Sequence, residues 1–308
     1  RAHTRDATNT QQMFAALQQR VKEMEVSGEL QSNNSRILEL AEVPNSPIWP
    51  RARLNLVLAL FGSTFVGIVL VMGVQYLRPK IVNPEHVAQS LGLGLIGVAP
   101  RVSKPDAALS DLTSVPVPFQ EAVRAIRTQI FLASGPVSIR TLAVTSASPG
   151  EGKTVIAGSL GVSIARTGRR VLLVDADMRR SQLNRLFNVR SAPGLSNVMA
   201  GEVPPSEAIT QSSVQGLFIL PAGTKVENPG DLLDHERLQR LIQSFGQVFD
   251  LVVIDCPPVT VAADATIVAN AVTSVLFVVG AGTRSPDAAR DSVERLMSVQ
   301  ARVVGVVL

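Results

Sequence analysis

The residues from Ala147 to Thr154, Ala-Ser-Pro-Gly-Glu-Gly-Lys-Thr, have the types and the spacing of a phosphate-binding loop. Gly150 and Gly152 allow the backbone to turn sharply and to point its N–H groups inward. Lys153 supplies a mobile cation for the outer phosphates, and Thr154 supplies a hydroxyl group for Mg²⁺. The usual first glycine of the pattern is replaced by Ala147. On this stretch alone, a glycine-rich turn followed by a chance lysine stays open as the alternative.

Two acidic clusters follow short apolar runs farther along the chain. Asp175 and Asp177 come directly after the run 170–174, and Asp255 comes after the run 251–254. Parallel strands deliver the residues at their C-terminal ends to the crevice where nucleotides bind. Carboxylates there would hold Mg²⁺, directly or through water, and could orient a nucleophile. A single strand that ends in Asp is usually only a turn signal, but three such sites in this order favour a nucleotide site.

The elements that must position these residues alternate between strands and helices from Ile139 onward. Near-continuous apolar strands in such an alternation predict an α/β fold, a doubly wound and mostly parallel sheet covered by helices on both faces. The predicted strands are 139–145, 170–174, 217–220, 250–254, 275–279 and 302–308. The predicted helices are 153–167, several within 181–211, 231–245, 262–270 and 285–298.

Composition excludes several classes of protein. The chain has 308 residues and a formal net charge of +4, which by itself indicates no nucleic-acid surface. One cysteine excludes an internal disulfide framework. Cys256, without a conspicuous histidine partner, is interpreted as a packing residue, and the three histidines have no zinc spacing. The start without Met and the apolar end at Leu308 lead us to expect a piece of a longer protein.

The segment before the alternating region contains a candidate membrane span. Leu54 to Leu77 has no charged residue, and at helical rise it extends roughly 36 Å, enough to cross a bilayer. A helix of about 15 residues is predicted around Met13 to Met24, and Pro44, Pro47 and Pro50 interrupt any helix after it. The alternative for Leu54 to Leu77 is a buried core helix. Basic residues flank both ends, so charge does not decide the orientation.

These features divide the chain into four predicted parts. They are an extracytoplasmic helical or coiled-coil region (1–50), a transmembrane helix (51–78), a linker (79–118) and a cytoplasmic nucleotide-binding domain (119–308). The last part is assigned to the cytoplasm because ATP is found there. A predicted amphipathic helix, Phe119 to Leu132, opens this domain and carries Glu121, Arg124 and Arg127 on its polar face. By itself this face indicates either a solvated surface with an ion pair or an interaction surface.

The three chemical motifs together resemble those of the bacterial tyrosine kinases (BY-kinases), the cytoplasmic domains of capsule and exopolysaccharide co-polymerases. The resemblance rests on Ser146 to Thr154, on Asp175 to Arg179 and on Ile254 to Pro258. It extends to the landmarks 193–196, 220–223 and 228–233, and to the membrane helix with the Gly-rich segment 91–98, which resembles the chain-length-determinant module. Soluble septum-site and partition ATPases carry a lysine where Ser148 stands, which favours the kinase branch.

The resemblance implies a role for each motif. Lys153 would bind the β- and γ-phosphates of ATP, Thr154 would hold Mg²⁺ with Asp175 and Asp255, and Asp177 would act as base or orienting group. The wider phosphate-contacting set would be Pro149, Gly150, Glu151, Gly152, Lys153, Thr154 and Val155. Glu121, Arg124 and Arg127 resemble the E-x-x-R-x-x-R element at the subunit interface of a ring. In the family a proline usually stands where this chain has Ser181.

The implied function is a tyrosine autokinase in the bacterial inner membrane that regulates exopolysaccharide or capsule polymerisation and export. Its expected partners are further copies of the chain, the polymerase and export machinery and the membrane, without nucleic acid. The alternative is an assembly ATPase of the same apparatus without tyrosine transfer, because the family's acceptor tyrosines lie on a C-terminal tail and this sequence has only Tyr76. A partition-type ATPase is disfavoured by Ser148, and a co-polymerase piece with a dead nucleotide site by the complete motifs.

Overall fold

The computed structural model describes residues 3–30, 51–77, 84–102, 115–133, 138–280 and 286–308. The chain divides into two compact units, Arg1–Gly73 and Val74–Leu308. The prolines at 44, 47 and 50, the basic residues after Leu77, and residues 79–83 and 103–114 of the predicted linker lie outside the described residues.

Among its described residues, the first unit contains two helices. Helix α1 (His3–Leu30) has 28 residues, so the prediction of about 15 was too short. The apolar pattern marks only its central part, and its large apolar side chains, from Met13 to Val26, are exposed. Helix α2 is Ala52–Leu77. Its stretch Leu54–Gly73 is long and apolar enough to cross a membrane, and none of it is buried in the structure. A core helix would be mostly covered, so that alternative does not fit.

The second unit is built on an eight-stranded sheet. Its strands are β1 (Leu95–Gly97), β2 (Thr141–Ser146), β3 (Val171–Asp175), β4 (Thr210–Gln211), β5 (Leu217–Leu220), β6 (Leu251–Asp255), β7 (Ser274–Val278) and β8 (Val303–Val307). Their spatial order is β1-β8-β7-β2-β6-β3-β5-β4, and only the β4–β5 pair is antiparallel. The predicted mostly parallel sheet is therefore confirmed.

Helices cover both faces of this sheet. They are α3 (Pro84–Leu91), α4 (Val117–Ala133), α5 (Lys153–Ala165), α6 (Leu183–Leu186), α7 (Leu195–Ala200), α8 (Pro205–Ala208), α9 (Pro229–Leu232), α10 (His235–Val248), α11 (Asp264–Ala271) and α12 (Pro286–Ser298). Alternate strand residues enter two separate cores. Val171 and Leu173 pack with α4 and α5, whereas Leu172 and Val174 pack with α10 to α12. This alternation is the doubly wound arrangement expected from the sequence.

Two strands were not predicted. Strand β4 is only a two-residue antiparallel addition to β5. Strand β1 lies inside the segment interpreted as a linker and pairs with β8. Its glycines hide it from a search for β-branched runs, yet Gly97 is needed there. A Cβ on Gly97 would lie 2.6 Å from Cγ1 of Ile126 in α4. The segment before residue 119 therefore contributes an edge of the sheet.

Candidate functional site

The loop between β2 and α5 has the backbone that its glycines predict. Gly150 has φ 84° and Gly152 has φ 90°, in the left-handed region that favours glycine. Above both Cα atoms the space is open, because an added Cβ would meet nothing within 4 Å. Gly152 is also the residue before the first turn of α5, whose free N–H groups and dipole favour an anion. The loop therefore forms a cradle that is open toward a ligand.

Glu151 points back into the loop rather than outward. Its Oε2 accepts a hydrogen bond of 2.9 Å from the backbone N–H of Ser148, and the residue is buried. The Ser146 hydroxyl donates to the carbonyl of Ser148 at 3.0 Å. Sequence reasoning placed Glu151 among the phosphate-contacting residues, and in this structure its side chain stabilises the shape of the loop.

Lys153 brings the three predicted motifs together. Its Nζ lies 2.8 Å from Oδ2 of Asp177, 3.6 Å from Oδ1 of Asp255 and 3.3 Å from the Thr154 hydroxyl. Burial lowers the pKa of Lys153, but the charges of Asp255, Asp177 and Asp175 outweigh it, so the pKa lies above its ordinary value. Lys153 is therefore a buried cation with acidic groups around it, held where the loop opens.

Asp175 and Asp255 end neighbouring strands in direct register. Asp175 accepts hydrogen bonds from the backbone N–H groups of Asp177 and Leu183, at 3.1 and 3.3 Å, and from the hydroxyl of Ser181 at 2.8 Å. Burial raises the pKa of Asp175 to about 7, and the charge of Asp255 adds to this effect. Burial also raises the pKa of Asp255 to about 6, against the opposing charge of Lys153. Burial disfavours the ionised form of both carboxylates, and a divalent cation bound to them would stabilise that form.

The oxygen atoms of Thr154, Asp175 and Asp255 fit Mg²⁺, which prefers hydroxyl, carboxylate and water oxygens. Within the described part of the chain, no group of three His, Cys, Asp or Glu residues is arranged to hold a metal by itself. A cation at these oxygens would therefore complete its coordination with waters and ligand phosphates, as Mg²⁺ commonly does in nucleotide sites.

A cavity of about 690 Å³ opens beside the loop. Gly150, Glu151 and Gly152 form one side of it, and apolar residues at the ends of β7 and β8 form another. Its volume lies within the usual range of small-molecule sites. A phosphate cradle joined to a mostly apolar cavity can accept a ligand that has both a charged and an apolar part.

The three polar residues predicted on helix α4 bond to other partners than the Lys153 cluster. Glu121 and Arg124 are exposed and form an ion pair of 2.6 Å with each other. Arg127 turns inward instead, and its Nη1 donates to the carbonyl of Ser163 at 2.9 Å and to its hydroxyl at 3.2 Å. The polar face predicted from the spacing therefore presents Glu121 and Arg124 to solvent, while Arg127 ties α4 to α5.

Cys256 is fully buried beside Asp255. Burial, and then the charge of Asp255, raises the pKa of its thiol well above the ordinary value. A thiol in this state is unreactive, which agrees with its interpretation as a packing residue.

Two contacts of the site were missed from the sequence. Ser181 binds Asp175, although it was noted only as a departure from a family pattern. Arg179 forms an ion pair with Asp264, 85 residues away. Ser181 had a signal in the sequence, because it stands where the family usually has a proline. Nothing in the sequence linked Arg179 to Asp264.

Both units match models of known domain families. An AAA domain model matches residues 139–302, and the G-rich domain model GNVR matches residues 2–75. The tyrosine-protein kinase etk of Escherichia coli K12 is 27% identical over 99% of this chain and 45% of its own length. The tyrosine-protein kinase ptk of Acinetobacter johnsonii is 27% identical over 86% of this chain and 38% of its own length. The chain thus spans less than half the length of these relatives.

Solved structures agree with these relatives. The kinase domain of the Escherichia coli tyrosine kinase ETK superposes with a TM-score of 0.68 at 27% identity, covering 74% of this chain and 94% of that domain. The BceF tyrosine kinase domain gives a TM-score of 0.67 at 29% identity and covers 74% and 98%. The loop geometry, the sheet and both domain models agree, and the chain belongs to the bacterial tyrosine kinase family, with a nucleotide-binding AAA domain as its second unit.

Proposed function

We propose that this chain is part of a membrane-anchored tyrosine autokinase that transfers the γ-phosphoryl group of ATP to tyrosine hydroxyls and regulates exopolysaccharide or capsule polymerisation and export. The observation that carries the proposal is the meeting of Lys153, Asp177 and Asp255 within 4 Å at the open phosphate loop. Its relatives are named tyrosine-protein kinases. The kinase domain that superposes on the second unit is covered almost completely.

Each side chain has a defined role in this proposal. Lys153 and the loop N–H groups bind the β- and γ-phosphates, and Pro149 to Val155 line them. Thr154, Asp175 and Asp255 hold Mg²⁺, which when bound neutralises charge on the transferring phosphoryl group. Asp177 accepts the proton of the tyrosine hydroxyl at Oδ2, the oxygen that Lys153 holds in this structure. Lys153 therefore changes partner from Asp177 to phosphate when ATP binds, which frees Oδ2 for its task.

The proposal extends to location and partners. Residues 51–78 cross the bacterial inner membrane, residues 1–50 lie outside it, and the nucleotide-binding domain lies in the cytoplasm. The chain assembles into a homo-oligomeric ring with Glu121, Arg124 and Arg127 at its interface and acts with the polysaccharide polymerase and export machinery. The support is the candidate span, the GNVR match and the nature of the relatives.

The proposal is tested with purified protein in detergent, γ-labelled ATP and Mg²⁺. Phosphotyrosine should form on the protein or on an added tyrosine-containing polymer. Release of labelled phosphate without any phosphotyrosine would contradict kinase activity and favour the assembly ATPase instead. Absence of both hydrolysis and transfer would contradict the nucleotide assignment itself.

Replacement of Arg124 by alanine should shift the protein toward monomers. Arg124 is exposed and, among the described residues, forms its ion pair with Glu121, so its loss costs the monomer little stability. Arg127→Ala should also favour monomers but should lower the unfolding midpoint as well, because it removes the contacts to Ser163. The measurement is the molar mass by light scattering at several protein concentrations, with exposed Arg240→Ala as control. An unchanged mass for Arg124→Ala would contradict the interface.

Replacement of Ser181 by alanine should move the acidic limb of the pH–activity profile upward by about one unit. The Ser181 hydroxyl stabilises ionised Asp175, so its loss raises the pKa of Asp175 further above about 7. Ionised Asp175 is needed to hold Mg²⁺, and activity should therefore begin at higher pH.

The unfolding free energy of the protein gives an independent test of the hydrogen bond between Ser181 and Asp175. Because the pKa of Asp175 is raised on folding, the folded state binds this proton more tightly than the unfolded state, and the favourable contribution is lost as pH rises through about 7. Without Mg²⁺, Ser181→Ala should therefore cost about 1.5–3 kcal/mol of unfolding free energy near pH 8, where Asp175 is ionised, and less near pH 5. Ser244→Ala, which removes an exposed local hydrogen bond, is the control. A pH-independent loss would contradict the assignment.

A further inference from the structure

The acidic loops after β3 and β6 are joined by a second ion pair that the proposed chemistry does not use. Arg179, two residues beyond Asp177, donates from Nε to Oδ2 of Asp264 at 3.2 Å. Asp264 is the first residue of α11 and follows the loop that comes after Asp255. The pair therefore connects the segment that carries Asp177 to the segment that carries Asp255.

Asp264 has the environment of a fixed anchor. Its side chain is only 3% exposed, whereas that of Arg179 is 40% exposed. It lies in the first turn of α11, where the helix dipole favours a negative charge. Gly230 of α9 packs against its other oxygen, because a Cβ added there would lie 3.1 Å from Oδ1. A buried carboxylate needs a partner, and Arg179 is the ion-pair partner recorded for it among the described residues.

The need for this connection appears when Lys153 leaves its partners. In the structure Lys153 lies between Asp177 and Asp255 and holds their loops together. Backbone pairing between the two strands extends to the N–H of Ala176, which donates to the carbonyl of Asp255 at 2.8 Å. Asp177 and the residues after it lie beyond this last rung. Once Lys153 turns to a phosphate, the ion pair between Arg179 and Asp264 is, within the described part of the chain, the side-chain bridge that remains between these loops.

We infer that Arg179 and Asp264 form a positioning pair that fixes the distance between Asp177 and the Asp255 side of the site while Lys153 is engaged by nucleotide. The inference rests on the proposed phosphoryl transfer and adds two residues that touch neither reactant. Displacement of a reacting group by about 1 Å can cost on the order of 10²-fold in rate. Loss of the pair should therefore act on the catalytic step and not on nucleotide binding.

The test measures initial rates of phosphotyrosine formation and of ATP hydrolysis by the purified full-length chain at varied ATP concentration. Asp264→Asn and Arg179→Gln should each lower kcat by about 30-fold and leave KM for ATP within about threefold. The kcat of the double variant should be within about twofold of the kcat of the less active single variant, because both changes remove the same interaction. Arg179→Lys, which keeps the charge, should retain at least about a third of the activity.

Arg240→Gln, which breaks an exposed ion pair on α10, should leave both rates unchanged. Wild-type rates in both single variants, or losses that multiply in the double variant, would overturn the inference. Equal falls in kcat and nucleotide affinity with a lower unfolding midpoint would also overturn it, in favour of a structural role. If Asp264→Asn fails to fold, Arg179→Gln at its half-exposed position carries the test. If the wild-type protein hydrolyses ATP without forming phosphotyrosine, the proposed tyrosine transfer is contradicted. The inference about Arg179 and Asp264 is then tested by the rates of ATP hydrolysis alone.

Discussion

Replacement of Lys153 by methionine is expected to lower ATP hydrolysis and any autophosphorylation by at least about 10²–10³-fold, because the phosphates lose their one buried cation from the loop. The change should also abolish tight nucleotide binding, since carboxylates within 4 Å of the vacated position would then face the triphosphate without a counter-charge. Steady-state hydrolysis and binding of a fluorescent ADP derivative measure the two effects.

The methionine variant should remain folded. Asp175 and Asp255 have pKa values of about 7 and 6, so they can take up protons in place of the lost cation, and the variant should be most stable on the acidic side of neutrality. Circular dichroism at about pH 6 checks this expectation. Lys225→Met, at an exposed lysine, is the matched control and should behave as wild type. Wild-type turnover in the Lys153 variant would refute the phosphate assignment.

Replacement of Asp177 by asparagine should separate chemistry from binding. The variant keeps the size of the side chain but loses the group that takes the tyrosine proton, so kcat should fall by about 10²–10⁴-fold. Nucleotide affinity should stay the same or increase, because the closest partner of Lys153 in the structure, at 2.8 Å, is weakened. Lys153 then reaches the phosphates without first leaving an ion pair.

The two parts of this prediction are measured by single-turnover phosphotransfer and by calorimetric titration with ADP and Mg²⁺. Asp291→Asn, on the exposed face of α12, should alter neither. Unchanged kcat would exclude Asp177 as base or orienting group, and a large loss of affinity would show that Asp177 serves binding instead.

The loop and the strand tips were predictable because their information is local. Two glycines before Lys153 specify positive φ, and apolar runs that end in Asp175 and Asp255 specify strands whose tips share one edge. Because the C-terminal ends of parallel strands meet at one edge of the sheet, Asp175 and Asp255 can be placed together without knowledge of side-chain geometry. The sequence therefore sufficed for six of the eight strands, for the loop and for the meeting of the three motifs.

The contacts that the sequence could not predict depend on register between distant elements. Arg127 and Ser163 lie 36 residues apart, and whether an arginine on α4 turns toward α5 or toward solvent depends on how the helices cross. The Arg179–Asp264 pair spans 85 residues and depends on the relative height of two loops. The inward turn of Glu151 depends on loop closure. None of these three contacts produces a periodic pattern in the sequence, so they cannot be predicted from composition or spacing.

The short strand β1 bears on how the nucleotide-binding unit can be isolated. Its pairing covers the outer side of β8, whose residues Val303, Val304, Val306 and Val307 form a β-branched run. A fragment that begins at Phe119 would leave this run as an open, valine-rich edge, the kind of surface on which chains add to one another and precipitate. A fragment that begins before Pro84 keeps the covering strand. We therefore expect the solubility of the isolated unit to depend on the three-residue strand Leu95–Gly97, which lies outside the Lys153 cluster.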